Sequence, residues 1–465
     1  MPKSKTIQSV KGMHDILPAD QAYWQQVQKK ASQLLTDYGF DRIDTPLVES
    51  TPLFLRSIGD ETDIVEKELY AFKTKGGDEL ALRPEITAGM VRAYIEHGMQ
   101  VMPQPVKLWS YGPVFRHDQP QAGRYRQFYQ LDVESFGDES AVSDAESIQL
   151  ALLWLESLGF KNLTIRINSI GDANCRPQYL KALRDYLKPQ TKKLCVSCRN
   201  RMKKNVLRVL DCKVPTCHEV VLNAPQLVGY LDDACKAHFK QLIEFLDEIR
   251  APYLLDPYLV RGLDYYTRTV FEILVEEEKP REAKAAEAVV EAENLKEGEE
   301  PEKPLRIEPA EIENLTGLAL VGGGRYDGLI SLLGGQKTPA VGWAAGIERI
   351  VMLLKARDIN VPPARPQPKV FLAQIGELAK RKSLVLFEQL RKAGIVTSSS
   401  LGKDSIKAQL RMANRVRAKY TLIVGQKEAL DHSVILREMD TGVQEFVGVD
   451  DIVEAIRKRL KNINS

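Results

Sequence analysis

The sequence predicts an α+β protein in which a mainly antiparallel sheet carries a helical insertion and is followed by a smaller α/β domain. Three observations support this fold class. Strand patterns separated by a long polar loop indicate antiparallel pairing, residues 171–252 carry long helical patterns, and residues 369–465 alternate strands with helices. At about 100–200 residues per domain, a chain of 465 residues accommodates this division.

The order of elements follows from local patterns along the chain. A helix is predicted after Asp20, a favoured N-cap residue, because apolar residues recur at helical spacing from Trp24 until Gly39. A second helix is predicted to open at Pro84, since proline is favoured in the first turn. Strand patterns occupy residues 79–83, 106–111, 128–136, 253–260, 269–275, 318–324 and 341–346. The last of these leads into a predicted helix at 347–354.

Changes in composition mark the predicted domain boundaries. The proline-rich residues 358–368 form a predicted stiff linker, and the strands and helices after it follow a parallel α/β pattern. Residues 276–313 contain 14 acidic and 6 basic residues and no aromatic residue, so we expect a flexible segment or a solvated helix. The predicted organisation is a core at 1–170 and 253–357 that contains the acidic segment 276–313, a helical insertion at 171–252, the linker at 358–368 and a domain at 369–465.

Composition argues against a membrane-spanning, collagenous or mainly disordered protein. Hydrophobic residues make up 44% and charged residues 28% of the chain, which is ordinary for a globular protein, and no apolar run is long enough to cross a membrane. Since the first residues lack the apolar core of a signal peptide, we expect a cytoplasmic protein with thiols or a metal site rather than disulfides. Residues 365–465 carry 19 basic and 11 acidic residues, and such an excess favours a polyanionic partner.

Two arginines and three polar residues form the strongest local signal. Arg116 ends one predicted strand and Arg124 lies in the following loop. The return strand carries Gln130, Asp132 and Glu134 at period two, which places them on one face. Guanidinium groups bind phosphate oxygens with two hydrogen bonds and keep their charge, while carboxylates on one face suit a cationic ligand. A surface hairpin with scattered ion pairs is the alternative interpretation.

Three further segments carry weaker signals. Arg261, Tyr265 and Tyr266 flank a glycine between two predicted strands, which suits a small polar pocket but also a turn with core tyrosines. The glycines of residues 322–328 allow a backbone to approach a ligand closely, although a tight structural turn has the same pattern. Arg349 lies in the first turn of a predicted helix, where it either helps to bind an anion or is solvated.

Taken together and in this order, five segments resemble the histidyl-tRNA synthetase family of class II aminoacyl-tRNA synthetases. They are Arg83-Pro84-Glu85-Ile86-Thr87, the hairpin 115–134, the runs 259–267 and 322–328, and the segment 342–349. The resemblance covers nearly the whole chain except the acidic segment, and the runs at 261–266 and 322–328 resemble motifs specific to this family. It implies a class II antiparallel sheet flanked by helices, a helical insertion and a C-terminal α/β anticodon-binding domain.

The resemblance implies an enzyme that makes histidyl-adenylate from histidine and ATP, with Mg²⁺ on the pyrophosphate, and then charges the 3′ end of tRNA(His). Arg116 and Arg261 are the expected catalytic residues, because they would hold the α-phosphate. The expected ATP-binding residues are Arg116, Asp118, Arg124 and Arg349, although Asp118 stands where the family usually carries glutamate. The expected histidine-binding residues are Glu85, Thr87, Gln130, Glu134, Arg261, Tyr265 and Tyr266.

Four cysteines resemble the layout of a zinc site. Cys195 and Cys198 form one pair, and Cys212 and Cys217 form a second, which together offer four thiolate ligands. However, the spacing of the second pair is atypical, and members of the family often lack these cysteines. Structural zinc and free thiols therefore both stay open, whereas intramolecular disulfides are disfavoured in a reducing compartment.

The resemblance also gives the basic C-terminal domain a partner, because family members use this domain to contact the tRNA anticodon. Lys407, Arg411 and Arg415 recur every four residues and therefore lie on one face of a predicted helix. We expect this face to bind tRNA phosphates; a solvated face is the alternative. A segment similar to the class II dimer motif near residues 44–51 leads us to expect a homodimer.

The main competing interpretation is a non-catalytic paralogue, the histidine-sensing regulatory subunit of ATP phosphoribosyltransferase. Such regulators typically lack the C-terminal domain and differ at the ATP-binding arginines. This chain has all of the phosphate-binding arginines expected of the synthetase: Arg116, Arg124, Arg261 and Arg349. Residues 369–465 also form a full additional domain. The sequence therefore favours the synthetase, also over a tRNA-binding sensor without chemistry and over a synthetase for another amino acid.

Overall fold

The structure is a computed structural model that describes residues 7–59, 62, 64–119, 123–276, 319–400, 402 and 404–461. The chain divides into two compact units, Met1–Val361 and Pro362–Ser465. The predicted acidic segment 276–313 lies outside the described residues, except for Glu276. Within the ranges given above, every helix is too short or too polar to span a lipid bilayer.

Two sheets form the framework of the first unit. Its strands are β1 (Asp41–Arg42), β2 (Val48–Ser50), β3 (Ala71–Lys73), β4 (Glu79–Leu82), β5 (Val106–Phe115), β6 (Gln127–Phe136), β7 (Leu163–Ser169), β8 (Tyr253–Leu255), β9 (Thr267–Val275), β10 (Ala319–Arg325) and β11 (Ala340–Gly346). The central sheet has the order β1-β5-β6-β11-β10-β9-β7-β8, and the small sheet has the order β2-β4-β3. Only the edge pairs β1–β5 and β7–β8 are parallel. The predicted antiparallel sheet is therefore confirmed.

The described part of the first unit contains ten α-helices. They are α1 (Gln21–Asp37), α2 (Thr51–Ile58), α3 (Thr87–Glu96), α4 (Ala141–Ser157), α5 (Arg176–Leu187), α6 (Val196–Lys203), α7 (Pro215–Val221), α8 (Asp233–Glu248), α9 (Leu329–Leu332) and α10 (Ile347–Ala356). In the main apolar core, helices α1, α4 and α10 pack with the sheet. Trp154 of α4 stacks on Trp343 of β11 with 5.7 Å between the ring centroids.

Three local predictions need correction. Asp20 precedes α1 as predicted, but its side chain makes no cap hydrogen bond and instead accepts one from Lys355 Nζ of α10. Helix α3 begins at Thr87 rather than at Pro84. Strand β8 ends at Leu255, well short of the predicted residue 260, because Pro257 has no N–H group for a sheet hydrogen bond.

Helices α5 to α8 form the insertion between β7 and β8. Its interior is apolar, with Tyr179 and Leu183 of α5 buried in the same cluster as Val206 and Val209. The cluster continues into the core of the first unit, where it includes Tyr266. The insertion is therefore packed against the region that holds the candidate site.

The second unit is a five-stranded sheet with helices. Its elements are β12 (Val370–Gln374), α11 (Glu377–Lys392), β13 (Thr397–Ser399), α12 (Ile406–Arg415), β14 (Tyr420–Val424), α13 (Gln426–Leu430), β15 (Ser433–Glu438), β16 (Gln444–Gly448) and α14 (Ile452–Lys461). The strand order is β13-β12-β14-β15-β16. Strands β13, β12 and β14 are parallel as predicted, but β15 and β16 add an antiparallel hairpin. The sheet is therefore mixed rather than purely parallel.

A buried charge cluster connects distant parts of the first unit. The side chain of Arg325, at the end of β10, is fully buried, and its Nε donates to Asp144 Oδ1 of α4 at 3.0 Å. Thr269 Oγ1 donates to Asp144 Oδ2 at 3.0 Å, and His238 of α8 contacts the same carboxylate. Arg325 Nη1 also pairs with Asp327 at 3.1 Å. The cluster thus joins β9, β10, α4 and the insertion.

Candidate functional site

One cavity of about 900 Å³ in the first unit collects the predicted core site residues. All of the residues expected to bind ATP or histidine line it: Glu85, Thr87, Arg116, Asp118, Arg124, Gln130, Glu134, Arg261, Tyr265, Tyr266 and Arg349. They come from separate segments of the chain, between α3 and α10. Such convergence of polar side chains in one large cavity is typical of a ligand-binding site.

Strand β6 presents three polar side chains to the cavity. Gln130, Asp132 and Glu134 alternate along this strand and all line the cavity. The residues opposite them in β11 are Gly346, Ala344 and Gly342. Because these partners are small, they leave room above the sheet for the polar side chains. The predicted period-two arrangement is therefore present.

The carboxyl group of Glu134 is fully buried and held by two hydroxyl groups. Thr87 Oγ1 donates to Glu134 Oε1 at 2.7 Å, and the hydroxyl of Tyr326 donates to Oε2. Burial raises the pKa of Glu134 to about 8, whereas the two hydrogen bonds act in the opposite direction. The group is therefore fixed in position and poised to ionise near neutral pH.

Two other buried carboxyl groups, those of Asp132 and Glu85, contain oxygen atoms that receive no hydrogen bond from the described residues. Among the described residues, neither oxygen of Asp132 nor Oε2 of Glu85 has a hydrogen-bond partner. Glu85 Oε1 accepts the N–H of Ala88 at 2.9 Å in the first turn of α3. Burial is the main cause that raises the pKa of both groups. Since unpaired buried oxygens cost free energy, this part of the cavity is complementary to a ligand with N–H donors.

Three buried tyrosines lie beside these carboxyl groups. The ring of Tyr265 is 4.8 Å from that of Tyr266 and 5.5 Å from that of Tyr326, measured between centroids. Tyr326 was not identified from the sequence, although it belongs to the glycine-rich run 322–328. Its contact with Glu134 depends on β11, which separates β10 from β6 in the sheet. No local sequence pattern specifies that neighbour.

Three arginines lie close together in another part of the cavity. Burial lowers the pKa of Arg349, and the positive charges of Arg124 and Arg261 contribute further to this decrease. Arg349 Nη1 donates to the carbonyl oxygen of Ala319, and Arg261 pairs with Glu272. Like charges at short range repel each other unless an anion lies between them. This part of the cavity is therefore suited to a polyanion.

Arg116 lies near the buried carboxyl groups of Glu85 and Asp132. Its Nε donates to the carbonyl oxygen of Pro84 at 2.8 Å, and its guanidinium carbon is 5.4 Å from the centroid of the Phe128 ring. Asp118 forms an ion pair with Arg124 at 3.3 Å. Arg116 is therefore held by its Nε and its flat face. Its terminal nitrogens make no hydrogen bond to the described residues, which suits them to contact a ligand.

Two glycines leave space for the charged side chains. A Cβ atom on Gly322 would lie 2.2 to 2.3 Å from the guanidinium atoms of Arg261. A Cβ atom on Gly342 would lie 1.6 Å from Glu134 Oε2 and 2.4 Å from the carbonyl oxygen of Val133. Glycine at these two positions is therefore required for the observed placement of Arg261 and Glu134.

The four predicted zinc-binding cysteines are close together in the insertion. The Sγ atoms of Cys195, Cys198, Cys212 and Cys217 all lie within 4.8 Å of one another. None of the four is in a disulfide. Hydrogen bonds, first of all from the backbone N–H of Cys198, lower the pKa of Cys195 to about 7. A low thiol pKa favours the thiolate that binds metals.

In the second unit, the predicted tRNA-binding residues form an exposed stripe. Lys407, Arg411 and Arg415 are exposed on α12, whereas Gln409 and Ala413 on the same helix are buried. The amide of Gln409 pairs with the backbone of Gln374, because its Nε2 donates to the Gln374 carbonyl oxygen at 2.7 Å. The basic face is thus fixed towards solvent, in agreement with the predicted spacing.

Comparisons with known proteins agree on one family. The model of the histidyl-tRNA synthetase family matches residues 12–284, and that of the anticodon binding domain matches residues 369–459. A histidine–tRNA ligase of Dehalococcoides mccartyi is 44% identical over 453 residues, which cover 97% of this chain and 100% of the relative.

Solved structures give the same result. Apo histidyl-tRNA synthetase of S. aureus is similar with a TM-score of 0.74 and 33% identity, covering 97% of this chain and 99% of that one. A Bacillus halodurans protein described as an ATP phosphoribosyltransferase regulatory subunit/histidyl-tRNA synthetase has a TM-score of 0.58. The match covers 91% of this chain and 98% of the Bacillus halodurans chain, but at 20% identity it shows only that the two share a fold.

Proposed function

Because the chain belongs to the histidyl-tRNA synthetase family, we propose that it is a histidine–tRNA ligase. It activates histidine with ATP to histidyl-adenylate and pyrophosphate, and then transfers histidine to the 3′ end of tRNA(His) with release of AMP. One observation carries this proposal: the same cavity contains a group of arginines and buried carboxyl oxygens that accept no hydrogen bond from the described residues. Histidine supplies the donors and ATP supplies the anion.

The carboxyl groups and tyrosines are the proposed histidine site. Glu85 and Thr87, supported by Gln130, bind the α-ammonium group, and Glu134 with Tyr266 and nearby Tyr265 binds the imidazole. Tyr326 joins this set as a residue that positions Glu134. A substrate that leaves such buried groups unpaired can be rejected by about 10⁴–10⁵, which explains how one amino acid is selected.

The arginines are the proposed ATP site. Arg116 and Arg261 neutralise the α-phosphate while the histidine carboxylate attacks it in line, and Arg124 and Arg349 hold the β- and γ-phosphates. Asp118 contacts the adenine after it leaves its ion pair with Arg124. Such a step needs positioning and charge stabilisation rather than a covalent nucleophile.

ATP brings Mg²⁺ to this site. Magnesium is usually held by substrate phosphates with one or two carboxylates, and Glu272, which lines the cavity beside Arg261, offers one. When bound, the ion neutralises charge on the pyrophosphate. The orientation of ATP and histidine remains the task of the arginines and carboxylates named above.

The four-cysteine cluster is the proposed structural zinc site. A tetrahedron with a zinc–sulfur distance of about 2.3 Å separates the sulfur atoms by about 3.8 Å. Cys195 Sγ and Cys212 Sγ are 3.9 Å apart, in agreement with this requirement. The zinc would join α6 to α7 and the loop before it, and would stabilise that part of the insertion.

Other assignments rest on family membership. We propose that Lys407, Arg411 and Arg415 bind phosphates of tRNA(His), and that the enzyme is a cytoplasmic homodimer. The proposed domains keep the predicted limits: core at 1–170 and 253–357, insertion at 171–252 and anticodon-binding domain at 369–465. The division between the two compact units at residue 361 is compatible with the linker at 358–368.

The regulatory paralogue is not favoured. A protein that only senses histidine has no need for the phosphate-binding arginines, yet all four line this cavity. It also has no need for the anticodon-binding domain that matches residues 369–459.

The test is histidine-dependent exchange between ATP and pyrophosphate, with the other nineteen amino acids as controls. Exchange with histidine alone is expected. Arg261→Ala should abolish exchange, while calorimetry still detects histidine binding. Arg166→Ala serves as the matched control, because Arg166 is half-exposed and lies outside the cavity. Histidine binding without any exchange by the parent chain would refute the proposed activity.

A further inference from the structure

A second cluster of potential metal ligands lies at the base of the insertion. Asp172, Cys175, Asp232 and Cys235 each place one ligand atom within 4.8 Å of the other three. The cluster shares no residue with the four-cysteine cluster, and none of its residues lines the cavity.

The cluster consists of two copies of one short motif. Asp172-x2-Cys175 precedes α5, and Asp232-x2-Cys235 opens α8. In each copy the aspartate Oδ1 accepts the N–H of the cysteine, at 3.4 Å in the first copy and 2.8 Å in the second. The N–H of Asp232 donates to Cys175 Sγ at 3.3 Å, which brings the two copies together.

Helix capping accounts for only part of this arrangement. The backbone N–H groups of Asn174, Cys175 and Cys235 donate to Oδ1 of the two aspartates. The thiols of Cys175 and Cys235 also lie within hydrogen-bonding reach of these carboxylates. Arg176 lies near Asp172 and Arg268 lies near Asp232, but neither forms a salt bridge with these aspartates in the described part of the chain. Cys175 and Cys235 are only 3% and 1% exposed. Capping needs only the two aspartates, whereas the two buried cysteines bring further ligand atoms within 4.8 Å of the carboxylates, which is the arrangement that a bound metal ion requires.

We propose that Asp172, Cys175, Asp232 and Cys235 form a second structural metal site, which binds a divalent d-block cation of the zinc type. Two thiolates and two carboxylates are ligands that Zn²⁺ accepts in tetrahedral geometry. Since all four positions are filled by protein, the site is structural rather than catalytic.

The position of the site indicates its role. The chain leaves the central sheet after β7 and returns at β8, so a metal here fastens the first helix of the insertion to the last. Arg176, next to Cys175, donates to the carbonyl oxygen of Tyr266. Binding of the metal therefore also supports the tyrosine segment that lines the cavity. This role does not depend on the reaction that the cavity performs.

The experiment measures the metal content of the full chain, purified without chelators, by inductively coupled plasma mass spectrometry. The double variant Cys175→Ser/Cys235→Ser should lose one equivalent of zinc relative to the parent, whereas Cys198→Ser/Cys212→Ser should keep that equivalent. X-ray absorption at the zinc edge of the latter variant should show two sulfur and two oxygen ligands. Equal metal content in the parent and the Cys175→Ser/Cys235→Ser variant would overturn the proposal.

A pair of single variants separates metal binding from helix capping. Asn caps helices about as well as Asp, so Asp232→Asn keeps the cap but removes a charged ligand. In the Cys198→Ser/Cys212→Ser background, where the four-cysteine site is disrupted, its affinity for zinc, measured by competition with a chromogenic chelator, should fall at least about tenfold. Asp233→Asn, at the neighbouring exposed position, should retain the parent affinity. Equal affinities in the two variants, or a Cys175–Cys235 disulfide found by thiol titration, would overturn the metal site even if pyrophosphate exchange is intact.

Discussion

Replacement of Gly322 by alanine tests whether the position of Arg261 governs activation. The new Cβ atom would lie 2.2 Å from Nη2 and 2.3 Å from Cζ and Nη1 of Arg261, whereas ordinary contacts begin near 3.4 Å. The guanidinium group must therefore move by about 1 Å, a displacement that can cost about 10²-fold in rate. This corresponds to about 2.7 kcal/mol of transition-state stabilisation.

The stability of the chain should change little. Gly322 does not have the positive φ that would make alanine strained, and the atoms in the way are the end of a flexible side chain. The free energy of unfolding in urea is therefore expected to stay within about 1 kcal/mol of the parent. Histidine-dependent pyrophosphate exchange should fall about 10²-fold in kcat/KM, and Gly328→Ala should behave like the parent because its Cβ atom would meet no atom within 4 Å.

Comparison with Arg261→Ala completes the test. If Gly322→Ala acts by displacing Arg261, its loss of exchange activity should be smaller than that of Arg261→Ala, which removes the guanidinium group altogether. Full activity of Gly322→Ala, or a loss of histidine binding in it, would refute the reasoning.

Three other changes test separate parts of the molecule. The ionised form of Glu134 accepts an imidazole N–H, and because its pKa is raised to about 8, the KM for histidine should fall as the pH rises from 7 to 8.5; Glu134→Gln should flatten this profile. Asp144→Asn removes the carboxylate partner of the buried Arg325 and should lower the free energy of unfolding in urea by about 3–5 kcal/mol. Changing Lys407 and Arg411 together to glutamine should reduce the dependence of tRNA affinity on salt by about two phosphate contacts, with pyrophosphate exchange unaltered. A parent-like pH profile in Glu134→Gln would contradict the role of Glu134 in binding histidine. If Asp144→Asn lowers the free energy of unfolding by less than about 1 kcal/mol, the buried ion pair is not an important contact. An unchanged salt dependence of tRNA affinity would contradict phosphate binding by Lys407 and Arg411.

Local patterns in the sequence predicted much of the fold. The period-two alternation of Gln130, Asp132 and Glu134 placed them on one face, and the four-residue spacing from Lys407 to Arg415 gave an exposed stripe, because both features depend only on the repeat of a single element. The family resemblance assigned residues from separate segments, between Glu85 and Arg349, to the binding of ATP and histidine. All of these residues line one cavity.

Features that depend on contacts between distant strands escaped prediction. The bond between Tyr326 and Glu134 requires β11 to lie between β10 and β6, and neither residue carries a local signal of the other. Arg325 appeared as one more residue of a glycine-rich run, although it is completely buried against Asp144. The hairpin of β15 and β16 was missed because β15 carries a short continuous apolar run at 434–436 and β16 is mostly exposed, so neither strand shows the alternation of apolar and polar residues that identifies a strand in the sequence.

The strand order has a consequence for synthesis of the chain on the ribosome. Strands β5 and β6 form a local hairpin, so they can pair soon after both have emerged. The next neighbour of β6 is β11, with Phe136 opposite Ala340, and everything between these residues must be translated before that edge is covered. At about 5–20 residues per second, the edge of β6 stays unpaired for tens of seconds. During that time its free backbone groups can pair with another chain, so chaperones or transient contacts within the chain would protect the nascent enzyme.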